Sequence, residues 1–278
     1  MSNITEEKVL EINETCQRMR IELIRILHSI QTGHPGGSLS VCEMLAALYF
    51  HAANVDPSNP KWEARDRIVL TKGHAAPMLY LLLAEKGFFP KEDLYTLRQI
   101  DSHLQGHPCS ELTPGVEIST GPLGIGLSAA IGIALSLRLD NNPATVYAIL
   151  GDGELNEGTV WEALMSASKY QLDNLVIIID ENGVQLDGTC EAVMPMGDIS
   201  AKLDAFGCEV LTCDGHDVKA ICDTLAQAKK GKGKPIAILA NTVKGKGVSF
   251  MEGQNAWHGA PIGKAHFETA LKDLGGTM

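Results

Sequence analysis

Two turns in this sequence carry side chains for which an apolar core has little use. Gly151-Asp152-Gly153-Glu154-Leu155-Asn156-Glu157-Gly158 follows an apolar run, Val146–Leu150, and precedes a helical pattern through Trp161, Leu164, Met165 and Ser168. A second apolar run, Leu175–Ile179, closes with Asp180 and delivers Glu181-Asn182-Gly183. Asp152 and Asn182 are thus short oxygen donors at the carboxyl ends of two strands one crossover apart, where open α/β sheets place their ligands. A hard divalent cation takes few protein ligands in such a place and completes its shell with phosphate oxygens and water. The Val184 carbonyl, in the turn after Asn182, is a third candidate oxygen. Gly153 and Gly158 would let a helix starting near Glu157 aim N–H groups at a phosphate. The competing reading of Gly-Asp-Gly is a tight turn in which Asp152 caps that helix.

Among the nine histidines, His34, His74, His107 and His258 each adjoin a glycine. Glycine there permits close approach of backbone to a ligand. Imidazoles exchange protons near neutral pH and hydrogen-bond a developing oxyanion, so a cluster of them suits carbonyl chemistry. Zinc is the rival use, but no two of these four stand at i, i+4 and no cysteine accompanies them at ligand spacing. His28, His51, His103, His216 and His266 read as structural. No Gly-x-Ser-x-Gly elbow occurs, and no cysteine has a recognisable nucleophile setting. Gly124-x-Gly126-x-x-Ala129 matches a dinucleotide fingerprint, yet no strand leads into it and no acidic residue ends a second strand at the required distance.

The elements that must position these residues are legible from periodicity. Val9, Ile12, Cys16, Met19, Leu23, Ile26, Leu27 and Ile30 recur at three- and four-residue steps and predict a helix over 6–30 with Thr5 as N-cap. Thr32–Ser38 reads as a specialised glycine-rich loop, followed by a helix from Ser40 to about His51. Strands are expected at Arg67–Leu70, Val146–Leu150, Leu175–Asp180, Cys208–Leu211 and Pro235–Ala240. Helices are expected over Ala76–Lys86, Lys91–Gln99, from Ser128, through Val218–Leu225 and over Lys264–Lys272. Small residues between Ser128 and Ala134 allow close approach of a neighbour or ligand. The long irregular segment between, Asp101 to Thr120, holds two histidines and reads as functional. Strands alternating with helices, each strand continuously apolar, predict an α/β fold: a doubly wound parallel sheet with helices on both faces, one domain over residues 1–278.

Composition narrows the partners. A net charge of −11 argues against nucleic acid or an anionic membrane, so a phosphorylated ligand must find positive potential locally, from a metal, helix N-termini or backbone N–H groups. Seven cysteines without a C-x-x-C pair fit reduced thiols, and no apolar run approaches the roughly 20 residues that span a bilayer. With no basic leader at Met1, the expected location is cytoplasmic.

Taken together, these motifs resemble the thiamine diphosphate enzymes, and among them transketolase. Thr32-Gly33-His34-Pro35-Gly36, Lys72-Gly73-His74, Gly106-His107-Pro108, Thr120-Gly121-Pro122-Leu123-Gly124-x-Gly126, Gly151–Gly158 and His258-Gly259-Ala260-Pro261 occur in that family's order and cover nearly the whole chain. Glu181-Asn182 stands where the family usually has Asn-Asn or Asp-Asn. The resemblance implies that Asp152, Asn182 and the Val184 carbonyl bind Mg²⁺ or Ca²⁺, which bridges the cofactor diphosphate. It implies that His74, Gly121, Leu123, Gly153 and His258 contact the cofactor, and that Glu157 and Glu162 form the acidic pair coupling paired active sites. His34, His74, His107 and His258 would line the channel where a ketose loses a two-carbon unit, while the thiamine carbanion carries that fragment.

Full transketolases continue into a pyrimidine-binding domain and a C-terminal domain, and the glutamate that pairs with the aminopyrimidine belongs there. The resemblance therefore implies the N-terminal, diphosphate-binding subunit of a split transketolase of pentose phosphate metabolism. Such a subunit would be active only with a separately encoded partner, as an α2β2 assembly acting on sugars or sugar phosphates. The alternatives are a related thiamine enzyme, 1-deoxyxylulose-5-phosphate synthase-like or dihydroxyacetone synthase-like, and a non-catalytic binding module. Gly33-His34-Pro35 and His258–Pro261 speak against the synthase.

Overall fold

The computed structural model describes residues 4–277. Helix α1 (Glu6–Ile30) buries Ile12, Cys16, Met19, Leu23, Ile26 and Leu27 along one stripe, and Thr5 caps it by accepting from the Lys8 N–H at 3.2 Å. The next stretch departs from expectation. Pro35–Ser40 is helical (α2), with Pro35 pre-set for the first turn. Its glycines serve packing: a Cβ on Gly36 would lie 2.9 Å from the Trp257 carbonyl oxygen, and one on Gly37 would lie 3.2 Å from the His74 ring. The helix expected from Ser40 to His51 is interrupted at Val41. It resumes as α3 (Cys42–Ala47) and widens into a π turn over Leu48–Ala52, where the Ala53 N–H donates to the Leu48 carbonyl.

Five strands, β1 (Arg67–Leu70), β2 (Val146–Gly151), β3 (Leu175–Glu181), β4 (Glu209–Asp214) and β5 (Ile236–Asn241), form one parallel sheet in the order β1-β2-β3-β5-β4. The remaining helices are α4 (Ala76–Lys86), α5 (Ile125–Leu139), α6 (Gly158–Lys169), α7 (Cys190–Val193), α8 (Ile199–Ala205), α9 (Val218–Ala228) and α10 (Lys264–Asp273). The segment read as a helix over Lys91–Gln99 is instead a 3-10 helix, Lys91–Thr96. Leu94 and Leu97 are buried at the three-residue spacing that such a helix aligns, and Arg98, at φ 64°, ends it.

Alternation explains why the central strands β2, β3 and β5 are apolar almost throughout, while the edge strand β4 is half-exposed and carries Glu209, Thr212 and Asp214. Ile68, Tyr147, Ile149, Val176 and Ile178 pack with α1, α3, α4 and α9 on one face. Val69, Ala148, Leu150, Ile177 and Ile179 pack with α5, α6 and α8 on the other. A parallel sheet covered on both faces leaves only its strand ends for chemistry. The register sets Gly151 opposite Asp180 and Asp180 opposite Ala240, so the chain emerges from β2, β3 and β5 at one level. No helix among the described residues is long and apolar enough to cross a membrane.

The small residues of α5 divide into two groups. A Cβ on Gly126 would lie 2.6 Å from the Thr71 Cβ, while one on Gly132 would meet nothing within 4 Å. Gly126→Ala is expected to lower the unfolding free energy by about 1–3 kcal/mol through overpacking. Gly132→Ala should raise it by about 0.4–1 kcal/mol by restricting the unfolded chain. Urea unfolding of the two variants checks the opposite signs.

Candidate active site

The site is built on a buried ion pair. Lys72, just past the end of β1, directs its ammonium onto Asp180 near the end of β3; the two side chains are 1% and 0% exposed. Asp180 also accepts from the Ser40 hydroxyl of α2, at 2.6 Å, and from the Thr242 hydroxyl after β5. Burial alone would push the Asp180 carboxyl up, but the Lys72 charge and these hydrogen bonds hold it below its ordinary value. The Lys72 ammonium reaches the Gly37 carbonyl at 3.3 Å as well. Four segments are thereby fixed around one charge pair.

Against this base lies a cleft of about 590 Å³ of empty space, lined by Lys72, His74, Leu123, Asp152, Asn182, Val184, Gln185, Lys244 and His258 among others. Asp152 is buried and accepts from the Gly153 N–H at 2.8 Å and from the Gly183 N–H. Burial, with Asp180 nearby, raises its pKa above the ordinary carboxylate value, which is the state that a cation beside it would reverse. The Asn182 side-chain oxygen accepts from the Val184 N–H at 3.1 Å, and the Val184 carbonyl accepts from the Lys244 ammonium at 2.9 Å. Lys244, buried and close to Lys72, is lowered to about 8 by desolvation and then by that like charge. The Gln185 Nε2 is buried without a partner in the wall of this cleft. An orphaned donor, two ammonium groups, the oxygens of Asp152, Asn182 and Val184, and the apolar Leu123 and Leu186 fit an anionic ligand with an attached cation and an apolar portion.

His34, His74, His107 and His258, drawn from four separate segments, come together. His34 lies 5.7, 6.0 and 5.6 Å, ring centroid to centroid, from His74, His107 and His258, and His74 stacks on His258 at 4.9 Å. All four are held neutral. Burial, then Arg98, His107 and Lys244, lower His34 to about 4; burial, then Lys244, His34 and Lys72, lower His258 to about 3. His74 is lowered by burial and then Lys72, and His107 by burial and Arg98. Neutral imidazoles offer one donor and one acceptor each, which suits holding hydroxyls and passing protons.

Not every expected residue reaches the cleft. Gly121 instead backs the His107 ring, which a Cβ there would meet at 3.4 Å. Glu157 and Glu162 are exposed on the outer side of α6, apart from the cleft lining. The Gly153 N–H donates to Asp152, and Glu157 caps α6 without a side-chain bond. His216 bonds Glu43 at 3.0 Å and the Val243 N–H, and His28 stacks on Phe267, so both are structural. Among the described residues, the ligating atoms of Cys16, Cys42 and Glu43 also converge, but Glu43 is taken by Arg20.

Sequence reasoning missed Lys72 and Lys244 as side chains in their own right, and Asp180, Glu154 and Arg98 altogether. Glu154 is buried and accepts from the Gly124 N–H at 2.8 Å and the Thr71 hydroxyl at 2.7 Å, which pins the loop that carries Leu123. The available signal was a charge standing directly after an apolar strand, as in Leu70-Thr71-Lys72 and Ile179-Asp180.

Comparison with known proteins agrees with this geometry. The family model described as transketolase, thiamine diphosphate binding domain, matches residues 12–277. A 6-deoxy-6-sulfo-D-fructose transketolase subunit of Clostridium sp. (strain MSTE9) is 42% identical over 268 residues, which cover 96% of this chain and 98% of that one. An apulose-4-phosphate transketolase subunit of Actinobacillus succinogenes is 40% identical over 265 residues, covering 95% and 96% of the two chains. The transketolase structure from Leishmania mexicana superposes with a TM-score of 0.89 at 32% identity, over 95% of this chain and 41% of that one.

Two outcomes test the electrostatics. Lys72→Met leaves Asp180 buried and unpaired, and is expected to cost about 3–5 kcal/mol in urea unfolding. For the histidines, both states are neutral above the ordinary value of 6.5, while below it the unfolded chain binds protons that His34 and His258 refuse in the fold. Stability should therefore fall as pH drops from 6.5 toward about 4. Urea midpoints at about pH 7.5 and about pH 5 measure that slope, and His34→Asn should make it shallower.

Proposed function

The chain belongs to the transketolase family, and from that membership we propose that it is the diphosphate-binding subunit of a two-subunit transketolase. In this reading it moves a two-carbon ketol unit from a ketose to an aldose together with a separately encoded partner. The observation that carries this reading is the position of His74 and His258, which belong at once to the cation-and-anion cleft and to the histidine cluster. One arrangement thus joins a diphosphate anchor to a set of neutral proton carriers.

Bound thiamine diphosphate supplies the electron sink that carbon–carbon cleavage next to a ketose carbonyl requires. Within this chain, Asp152, Asn182 and the Val184 carbonyl would hold the divalent cation, for which Mg²⁺ is the proposed ion. Lys244, now on the Val184 carbonyl, and the partnerless Gln185 amide would meet diphosphate oxygens. Leu123 and Leu186, which line the cleft, would exclude water from it. His34, His74, His107 and His258 would orient the sugar hydroxyls and take or return a proton at a ring nitrogen. Their depressed basicity keeps each a hydrogen-bonding neutral group instead of a fixed cation.

Both relatives named above are described as subunits, and this chain spans nearly all of each, whereas it spans 41% of the Leishmania transketolase. That contrast supports a partner chain. So do the exposed apolar side chains Ile125 and Leu139 of α5, Met165 of α6 and Tyr170 just past it. A symmetric α2β2 complex acting on anionic sugars fits that surface and the relatives' named substrates.

Mixing the purified chain with its partner subunit, Mg²⁺ and thiamine diphosphate should give ketol transfer that neither chain shows alone. Asp152→Ala should weaken Mg²⁺-dependent cofactor binding by about 10–100-fold or more while the complex still assembles. Transfer by this chain alone, or unchanged binding in the variant, would overturn the proposal.

A further inference from the structure

The guanidinium of Arg98 touches the histidine cluster from outside the cleft. Its Nη2 lies 3.2 Å from His34 Nδ1 and 3.4 Å from the Gly106 carbonyl, and its Nη1 donates to the Thr32 hydroxyl at 2.7 Å. The Arg98 backbone is set for this reach: φ is 64°, and its N–H donates to the Leu104 carbonyl at 2.9 Å. Gly106 leaves room for the group, since a Cβ there would lie 3.1 Å from Nε. The arginine thus ties the segment that carries His34 to the segment that carries His107.

Arginine has five N–H donors and no acceptor, and it stays charged. His34 Nδ1 beside it can only accept. We propose that Arg98 is a positioning residue that fixes His34 as the Nε2–H tautomer, so that His34 enters the cluster as a hydrogen-bond donor. The Nε2 edge faces the segment of His258: a Cβ on Gly259 would lie 3.3 Å from His34 Cδ2 and 3.5 Å from Nε2. With the proton on Nδ1 instead, the same edge would be an acceptor, and the ring would serve as a base and not as a donor to a substrate oxygen. The charged and titratable groups that bear on His34 are Arg98, His107, Lys244, His74 and His258. Arg98 is the one hydrogen-bonded to the ring, so it decides the tautomer, and its charge also opposes protonation of the second nitrogen. The role of that donor toward a ketose oxygen rests on the function proposed above, but the tautomer does not.

The test is a long-range ¹H–¹⁵N correlation spectrum of the full chain labelled with ¹⁵N-histidine, with His34 assigned by its loss in His34→Asn. The wild type should show a protonated Nε2 and an unprotonated Nδ1 for His34 at neutral pH. Arg98→Met removes every donor and should give averaged tautomers, with the titration midpoint climbing from about 4 toward 6.5. Arg98→Lys, whose ammonium also only donates, should retain the single Nε2–H tautomer. A wild-type proton on Nδ1 overturns the proposal without reference to any variant. So does an unchanged His34 tautomer in folded Arg98→Met, or an even mixture in Arg98→Lys. The spectrum needs no turnover, so absent ketol transfer in the reconstituted complex would overturn the proposed function and leave this result standing. In an active complex, Arg98→Met should lower kcat and leave cofactor affinity unchanged.

Discussion

The Lys72–Asp180 pair is the constraint on which the site depends. Taking both charges out of water costs several kcal/mol per ion, and a pair of this kind often adds nothing to stability over an apolar substitute. Its effect is positional. The pair stands at the carboxyl ends of β1 and β3, with Ser40 and Thr242 bound to the same carboxylate. Moving any of these segments would leave a buried charge short of a partner, a far larger penalty than a loosened apolar contact. The floor of the cleft is therefore set before any ligand arrives.

That floor also governs the histidines. The protein as a whole is acidic, with a net charge of −11, yet its site gathers Lys72, Lys244 and Arg98. Lys72 is offset by Asp180, and Asp152 and Glu154 line the same cleft, so Lys244 and a bound cation would be left to meet a phosphorylated ligand. Burial is the first cause that holds the imidazoles neutral, and Lys72, Lys244 and Arg98 add to it.

Periodicity made the scaffold readable. The stripe of α1, its Thr5 cap and the apolar strands β1, β2, β3 and β5 follow from spacing, because their inward positions are apolar on both faces, whereas the half-exposed edge strand β4 runs on to Asp214, past the expected Leu211. Asp152 and Asn182 were readable because an acid or amide at a strand end is conspicuous, and His34, His74, His107 and His258 because of their glycines. The charge network was not readable, since Lys72 and Asp180 meet across 108 positions and nothing local pairs them. Arg98 was hidden by its place in a segment whose apolar spacing imitates an α-helix but forms a 3-10 turn. The short α7 and α8 lack enough turns to show a period, and α2 carries two glycines in a six-residue helix.

Several glycines of the site make their closest contacts with segments distant in sequence. Gly37 backs the ring of His74, Gly121 that of His107 and Gly259 that of His34, while Gly36 lies under the carbonyl of Trp257, the neighbour of His258. Of the glycines that adjoin the four histidines, Gly259 approaches an imidazole of another segment, while Gly33 packs on Leu27, Gly73 on Thr120 and Gly106 on Arg98. A methyl group at Gly36 or Gly37 would have to displace a carbonyl or a ring that another segment holds in place. Gly36, Gly37, Gly121 and Gly259 let the histidine-bearing segments close on one another. The crossing of those segments brings the other three imidazoles within 6.0 Å of His34.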